Sequence, residues 1–426
     1  MKRRVALILV VAVLAAALSA FLLWYMPSSE RAFLPFGPER SCVIAVTDDT
    51  DFFQFETTAP VYALIDSLGL RVTKTVWAFD HEDHPPERAG LSLADPDYLA
   101  WVEREMDAGH EIVLHSATAG HDTRSATTAA HTVVEELTGQ KPSMVIFHST
   151  NKEAFYWGSE RLPSPVLRYL YERRAGRRSF EGDDPGSRYY WVDVSRRLVK
   201  YVRGYTTNDV NTLRLCPSMP YEDPWTPDAP LWCASSNGRL AGEFIALLSP
   251  RNVEALRREN GVSIVYTHFA SEFTSPGADG RYRVTPQARE TLVRCGTDPA
   301  VEFVPAGEVL DRLRVVQYLE DAVSDGSRAG EEVVIMVPAP LMDVVSDVSV
   351  LPERLPRGLD VGGPGGGESV RLDVWLDEVG WELEPANLTV FAGARRLPLR
   401  ERWRLVLRWL TTSLRSPAYR YESGAA

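Results

Sequence analysis

Cysteine is scarce: the 426 residues hold four (Cys42, Cys216, Cys233 and Cys295), which excludes a small disulfide-held scaffold. Cys216 and Cys233 bracket a proline- and tryptophan-rich loop, so one pairing stays open in an exported chain. The competing reading is four buried thiols, the better one for Cys42 inside an apolar run. Basic residues are also in deficit. Lys and Arg number 46 against 58 Asp and Glu, a net charge of −12, and such a molecule is not built to hold nucleic acid. No internal repeat stands out. Overall disorder is excluded by an ordinary globular composition, 45% hydrophobic and 24% charged.

Long apolar runs are missing except for one. Residues 5–26 form 22 almost unbroken apolar positions behind Lys2-Arg3-Arg4. That length crosses a bilayer as a helix, with the basic cluster left in the cytoplasm. The rival is a cleaved signal peptide, for which Ala17-Leu18-Ser19-Ala20 offers a small-residue cleavage site. The run continues through Phe21-Leu22-Leu23-Trp24-Tyr25 and ends in interfacial aromatics, which favours the anchor. Either way the remainder of the chain is exported. The expectation is a single-pass protein of the cell membrane with its main domain outside the cytoplasm.

Length allows two to three domains, or one large barrel with an attachment. After a linker over residues 27–39, strand-like and helix-like stretches alternate. Strands are expected near residues 42–46, 71–79, 111–115, 144–147, 189–194, 262–267 and 301–304. Helices are expected near 58–68, 96–107, 124–138 and 250–259, and a long loop over 206–237. Such alternation indicates α/β architecture with a parallel sheet, open or closed into a barrel. Past about residue 330 the pattern turns to short alternating strands, such as Val370, Leu372, Val374 and Leu376, with a break at Gly362-Gly363-Pro364-Gly365-Gly366-Gly367. Residues 1–30, 31–330 and 331–426 therefore divide into anchor, barrel and a small β-rich C-terminal domain.

Chemistry gathers where apolar runs end. Cys42-Val43-Ile44-Ala45-Val46 leads into Thr47-Asp48-Asp49-Thr50-Asp51, and Ile112-Val113-Leu114 leads into His115, with His121 six residues further on. In parallel sheets ligands collect beyond the carboxyl ends of the strands. A carboxylate and two imidazoles meeting there suit a divalent metal, zinc above all, with one position open for water. His110 precedes its strand, roughly 16 Å from His115 at ~3.3 Å per residue, and reads as structural. His115 and His121 reach one ion only if residues 116–120 form a loop. A further histidine, His268, ends the late run Val262-Ser263-Ile264-Val265-Tyr266-Thr267.

With these motifs in view, residues 41 to about 315 resemble a polysaccharide deacetylase domain of the carbohydrate esterase family four type. Thr47-Asp48-Asp49 resembles its first motif. Gly109-His110-Glu111-Ile112-Val113-Leu114-His115-Ser116 and a following histidine resemble its second, and Tyr266-Thr267-His268 its late one. The resemblance implies a distorted, incomplete (β/α) barrel of about seven strands. It also implies Asp48 as general base, Asp49, His115 and His121 as metal ligands, and His268 as general acid, oriented by Asp193. Two features depart from the family: the wider histidine spacing, and Val145-Ile146-Phe147-His148-Ser149-Thr150-Asn151 where an arginine-bearing motif is usual. His148 stands at the rim as a substitute ligand, a substrate contact or a hydrogen-bonded rim residue. Tyr156, Trp157 and Trp191 are the candidates to stack on sugar rings, against the alternative of aromatic core. The implied activity is metal-dependent removal of acetyl groups from a polysaccharide or cell-wall glycan. The alternatives are an inactive relative that binds glycan or scaffolds surface-polysaccharide assembly, and a metal enzyme acting on a non-sugar amide.

Overall fold

The computed structural model describes residues 31–80, 90–148, 150–155, 169, 180–222, 226–329, 344, 347–351 and 370–371. Seven parallel strands form its centre: β2 (Cys42–Asp48), β3 (Thr73–Val76), β4 (Glu111–His115), β5 (Met144–Ile146), β6 (Tyr201–Thr207), β7 (Leu231–Asn237) and β8 (Val262–Thr267). A short β1 (Phe33–Leu34) precedes them. Every residue of β2 is buried, as both-face coverage of a parallel sheet requires. β2 pairs with β8 from Val43↔Val262 to Asp48↔Thr267, so the strands close into a barrel. The closure departs from the expected incomplete ring. Like β4–β5, β5–β6 and β7–β8, β2 and β3 meet along a seam of two paired positions, Thr47↔Thr73 and Asp48↔Lys74. Below that seam β11 (Val301–Phe303) pairs with the start of β2.

Helices wrap the barrel and start where the sequence supplies caps. α1 (Phe55–Ser67) follows β2. α2 (Pro96–Asp107) begins at Asp95, whose Oδ1 accepts from the amides of Asp97 and Tyr98, with proline in the first turn. α3 (Arg124–Thr138) ends at Gly139, at φ 70°, the left-handed position that glycine adopts without steric cost. The bounds expected for α2, α3, β4 and β8 agree with those observed.

Two expectations do not hold. Residues 189–194 are not a strand: the chain turns there, and α4 (Val192–Leu198) follows. Trp191 uses its apolar surface locally, stacked on Phe155 at 4.7 Å, rather than in a ladder. Residues 206–237 are not one loop. They contain α5 (Thr212–Leu215) and all of β7. Ser235 and Ser236 disguised β7, yet both are buried, and Ser236 Oγ bonds Thr212 Oγ1 of α5 at 2.7 Å.

The remaining elements are α6 (Ala241–Leu247), α7 (Pro250–Arg258), the hairpin β9 (Thr274–Pro276) and β10 (Tyr282–Val284), α8 (Pro286–Thr297) and α9 (Ala306–Ala329). At the amino end of the barrel, half-buried Glu111 accepts from Thr73 Oγ1, Ser143 Oγ and Gly307 N–H. This ties α9 to β4, and a Cβ at residue 307 would collide with the carboxylate. Outside the barrel, β1 pairs with β12 (Ser349–Val350), which pairs with β13 (Val370–Arg371). Most of the expected C-terminal domain, and residues 5–26, lie outside the described residues. Among the described residues no helix is long and apolar enough to cross a membrane. The four cysteines are buried free thiols, so Cys216 and Cys233 do not pair.

Candidate metal centre

Parallel strands all end on one rim, and the end of β2 with the turn after it carries three acids there. Each acid finds a different partner. Asp48 faces α1: its Oδ2 accepts from Lys74 Nζ at 2.9 Å and Tyr62 OH at 3.1 Å, and its Oδ1 from Phe269 N–H at 2.7 Å. Asp49 forms a two-pronged pair with Arg203 of β6, 3.0 Å from Nη1 to Oδ1 and 2.5 Å from Nη2 to Oδ2. Arg203 in turn lies over the Tyr266 ring at 4.4 Å. Asp51 faces only imidazoles. Its Oδ1 is 2.7 Å from His148 Nε2, and its Oδ2 is 3.4 Å from both His115 Nε2 and His268 Nε2.

The histidines arrive from three strand ends. His115 closes β4, His148 lies two residues beyond β5, and His268 follows β8 directly. The His115 and His148 rings stand 4.5 Å apart, and His115 Nε2 is also 3.6 Å from Asp49 Oδ2. His268 is held by Arg239, whose carbonyl accepts from its backbone N–H at 3.1 Å and lies 3.2 Å from ring Nδ1. Nδ1 therefore carries a proton, and Nε2 faces Asp51. Phe52, beside Asp51 at φ 64°, presents its ring edge-on to His268. A left-handed backbone is uncommon for a bulky side chain and is found where function demands it.

Charge decides which acid needs a cation. Lys74 answers Asp48 and Arg203 answers Asp49, but among the described residues no permanent cation answers Asp51. Asp51 Oδ2 and both ring nitrogens of His115 are buried without a hydrogen bond of good geometry. Burial alone would raise the carboxyl pKa of Asp49, but Arg203 and His115 hold it well below the usual range. The same opposition, with histidines as partners, holds Asp51 low. Burial would lower His115, yet the two acids push it up to about 9. An unbalanced buried carboxylate facing neutral-capable imidazoles is the donor set of a divalent cation. Asp51, His115 and His148 form one such group, and Asp49, Asp51 and His268 an overlapping one. Asp49 is already paired with Arg203, so the first group fits an ion better.

A third group, Asp66, Glu105 and His110, does not fit. His110 Nδ1 accepts from Val72 N–H, so its proton sits on Nε2 and donates to Asp66 at 2.9 Å. His110 is structural, as the strand-end argument expected.

Other expected residues lie elsewhere. His121 is exposed, with its ring 6.3 Å from that of Tyr189, and no ligand group among the described residues includes it. The loop folds around Asp122, which accepts from the amides of Ala117 and Thr118 and from the Thr118 hydroxyl. That knot turns the loop tip outward. Asp193 pairs with Arg124 on the surface, at 2.5 and 2.9 Å, rather than with His268. Trp191 is fully buried and donates from Nε1 to the Glu153 carbonyl, a core role. Tyr156 and Trp157 lie outside the described residues.

Sequence reasoning missed Asp51, Arg203 and Lys74. Two signals were available: a third acid in the same run, and a lone lysine inside Val72-Thr73-Lys74-Thr75-Val76. A buried lysine requires a partner.

No protein-family model and no curated protein matches the chain. Solved structures with a similar fold do. They include a family 4 acetyl xylan esterase from Clostridium thermocellum with bound cobalt, at 16% identity and TM-score 0.31, over 63% of this chain and 89% of that one. A probable polysaccharide deacetylase from Pseudomonas aeruginosa matches at 11% identity and TM-score 0.38, over 66% and 94%. A peptidoglycan deacetylase from Bacillus subtilis matches at 12% identity and TM-score 0.31, over 67% and 96%. At such identities and scores the likeness assigns no chemistry; side-chain geometry has to.

Proposed function

We propose that this chain is a metal-dependent hydrolase that removes acetyl groups from a polysaccharide or cell-wall glycan, anchored to the membrane by residues 5–26 with its barrel outside the cytoplasm. The observation that carries the chemistry is Asp51 facing three imidazoles with no permanent cation of its own among the described residues. Asp51, His115 and His148 would hold the ion. This revises the set expected from the sequence by one acid and one imidazole. Zinc is the first choice for such donors, with cobalt, manganese and nickel also suited. Bound there, a divalent ion would polarise the acyl carbonyl and acidify a water.

The protein's own groups do the rest. Asp49, kept ionised by Arg203, takes the proton of the attacking water. His268, with Nδ1 fixed on the Arg239 carbonyl, gives a proton from Nε2 to the leaving amine or alcohol. Phe52 and Tyr266 flank that ring and limit water at it. The sugar part of the reading rests on the motif resemblance, and the names of the solved structures choose the substrates to try.

The test is metal analysis of the purified protein together with acetate release from acetylated xylan and peptidoglycan, with a small cyclic amide as control. About one ion per chain and glycan-dependent acetate release are expected. Metal with turnover of the amide alone would move the substrate away from sugars. Absence of both metal and turnover would leave the glycan-binding alternative. Carbonate extraction and protease accessibility of membranes test the anchor.

A further inference from the structure

Asp48 and Lys74 take no part in that chemistry, yet both side chains are 1% exposed directly behind it. Asp48 ends β2 and turns its carboxylate toward Tyr62 of α1, away from the side on which Asp49 meets Arg203. Three donors aim at its two oxygens: Lys74 Nζ, Tyr62 OH and Phe269 N–H. The last is informative, because Phe269 follows His268. The β8 ladder stops at Thr267, whose carbonyl accepts from Asp49 N–H at 2.9 Å. Beyond that point, His268 N–H goes to the Arg239 carbonyl and Phe269 N–H goes to Asp48. Tyr62 also packs edge-on against Phe269 at 5.8 Å.

We propose that Asp48 is a positioning residue for His268: its carboxylate holds the Phe269 amide and so sets where the imidazole meets Asp51, with Lys74 as its buried counter-charge. This rests on the hydrolase reading of the same site and changes the role that the acid pair suggests. The position needs a hydrogen-bond acceptor, not a base.

Asp48→Asn alone would strand the buried Lys74 charge and risks unfolding, so both charges are removed together. Lys74→Met with Asp48→Asn keeps an acceptor for Phe269 N–H; Lys74→Met with Asp48→Ala does not. The asparagine form is expected to keep kcat within about fivefold of wild type, and the alanine form to lose on the order of 10²-fold, as misplaced groups do. KM and metal content should be unchanged in both. Crystal structures should show the His268 ring in place in the first and displaced in the second. An asparagine form as inactive as the alanine form would make Asp48 the base and overturn the proposal. So would an alanine form with full kcat and an undisplaced ring. If wild type itself releases no acetate, the hydrolase reading fails separately, and the two ring positions still decide for or against Asp48.

Discussion

At the scale of single residues, the three acids at the end of β2 and in the turn after it differ in partner, and substitution should separate them. Asp51→Asn removes the carboxylate that faces His115, His148 and His268. It is expected to weaken metal retention by at least ~100-fold, the loss of a ligand exceeding that of an outer partner. Asp49→Asn, combined with Arg203→Met so that no buried charge is stranded, should keep the ion, bound through Asp51, His115 and His148, and lower acetate release by about 10²-fold or more, the usual scale for a lost general base. His121→Ala should keep both. Metal analysis by mass spectrometry and acetate assays check each; full metal in Asp51→Asn would overturn the ligand set. The sequence identified His115, Asp49 and His268 as rim residues because each ends a short apolar run. It could not distinguish acids two positions apart, since that choice depends on where Lys74 and Arg203 sit in neighbouring strands. His121 was misplaced because the knot around Asp122 is a matter of loop geometry, which periodicity does not encode.

At the scale of elements, α3 carries a buried titratable group outside the site. His131 is fully buried, donates from Nδ1 to the Thr127 carbonyl, and has its pKa lowered to about 4, with burial the main cause. Between pH 4 and 6.5 the unfolded chain binds a proton there that the native one refuses, so stability falls as pH drops through that window. The loss approaches about 3 kcal/mol by pH 4. Urea denaturation of wild type and His131→Leu at pH 7 and pH 4.5 should show the smaller pH dependence in the variant. Equal pH dependence would rule this histidine out as the cause. Elements with explicit caps were legible: Asp95-Pro96 and Gly139 bound α2 and α3 in sequence as in structure. β7 was not, because its serines read as loop until neighbouring strands and α5 bury them.

At the scale of the whole molecule, Arg312 joins the barrel to the chain on its carboxyl side. Its buried guanidinium is 3.0 Å from Glu302, 2.6 Å from Glu308 and 3.3 Å from Asp347. Arg312→Met removes the cation shared by Glu302, Glu308 and Asp347, of which Glu308 still has Arg71 at 3.2 Å, and should cost about 3 kcal/mol. It should also expose the chain near residues 347–351 to limited proteolysis before the barrel is cut. Unchanged melting and an unchanged cleavage pattern would show that this junction holds nothing. Alternating elements made the barrel legible. Its full closure was not, because no pattern within a strand reports which strand becomes its neighbour. The end of β2 and the turn after it have one more consequence. The proposed proton acceptor, cation ligand and clamp on His268 occupy positions 49, 51 and 48 of one short segment, so a single inserted residue there would put all three out of register together. Redesign for new acyl groups should therefore freeze residues 47–53 and draw its diversity from the connections after β5, β6 and β7.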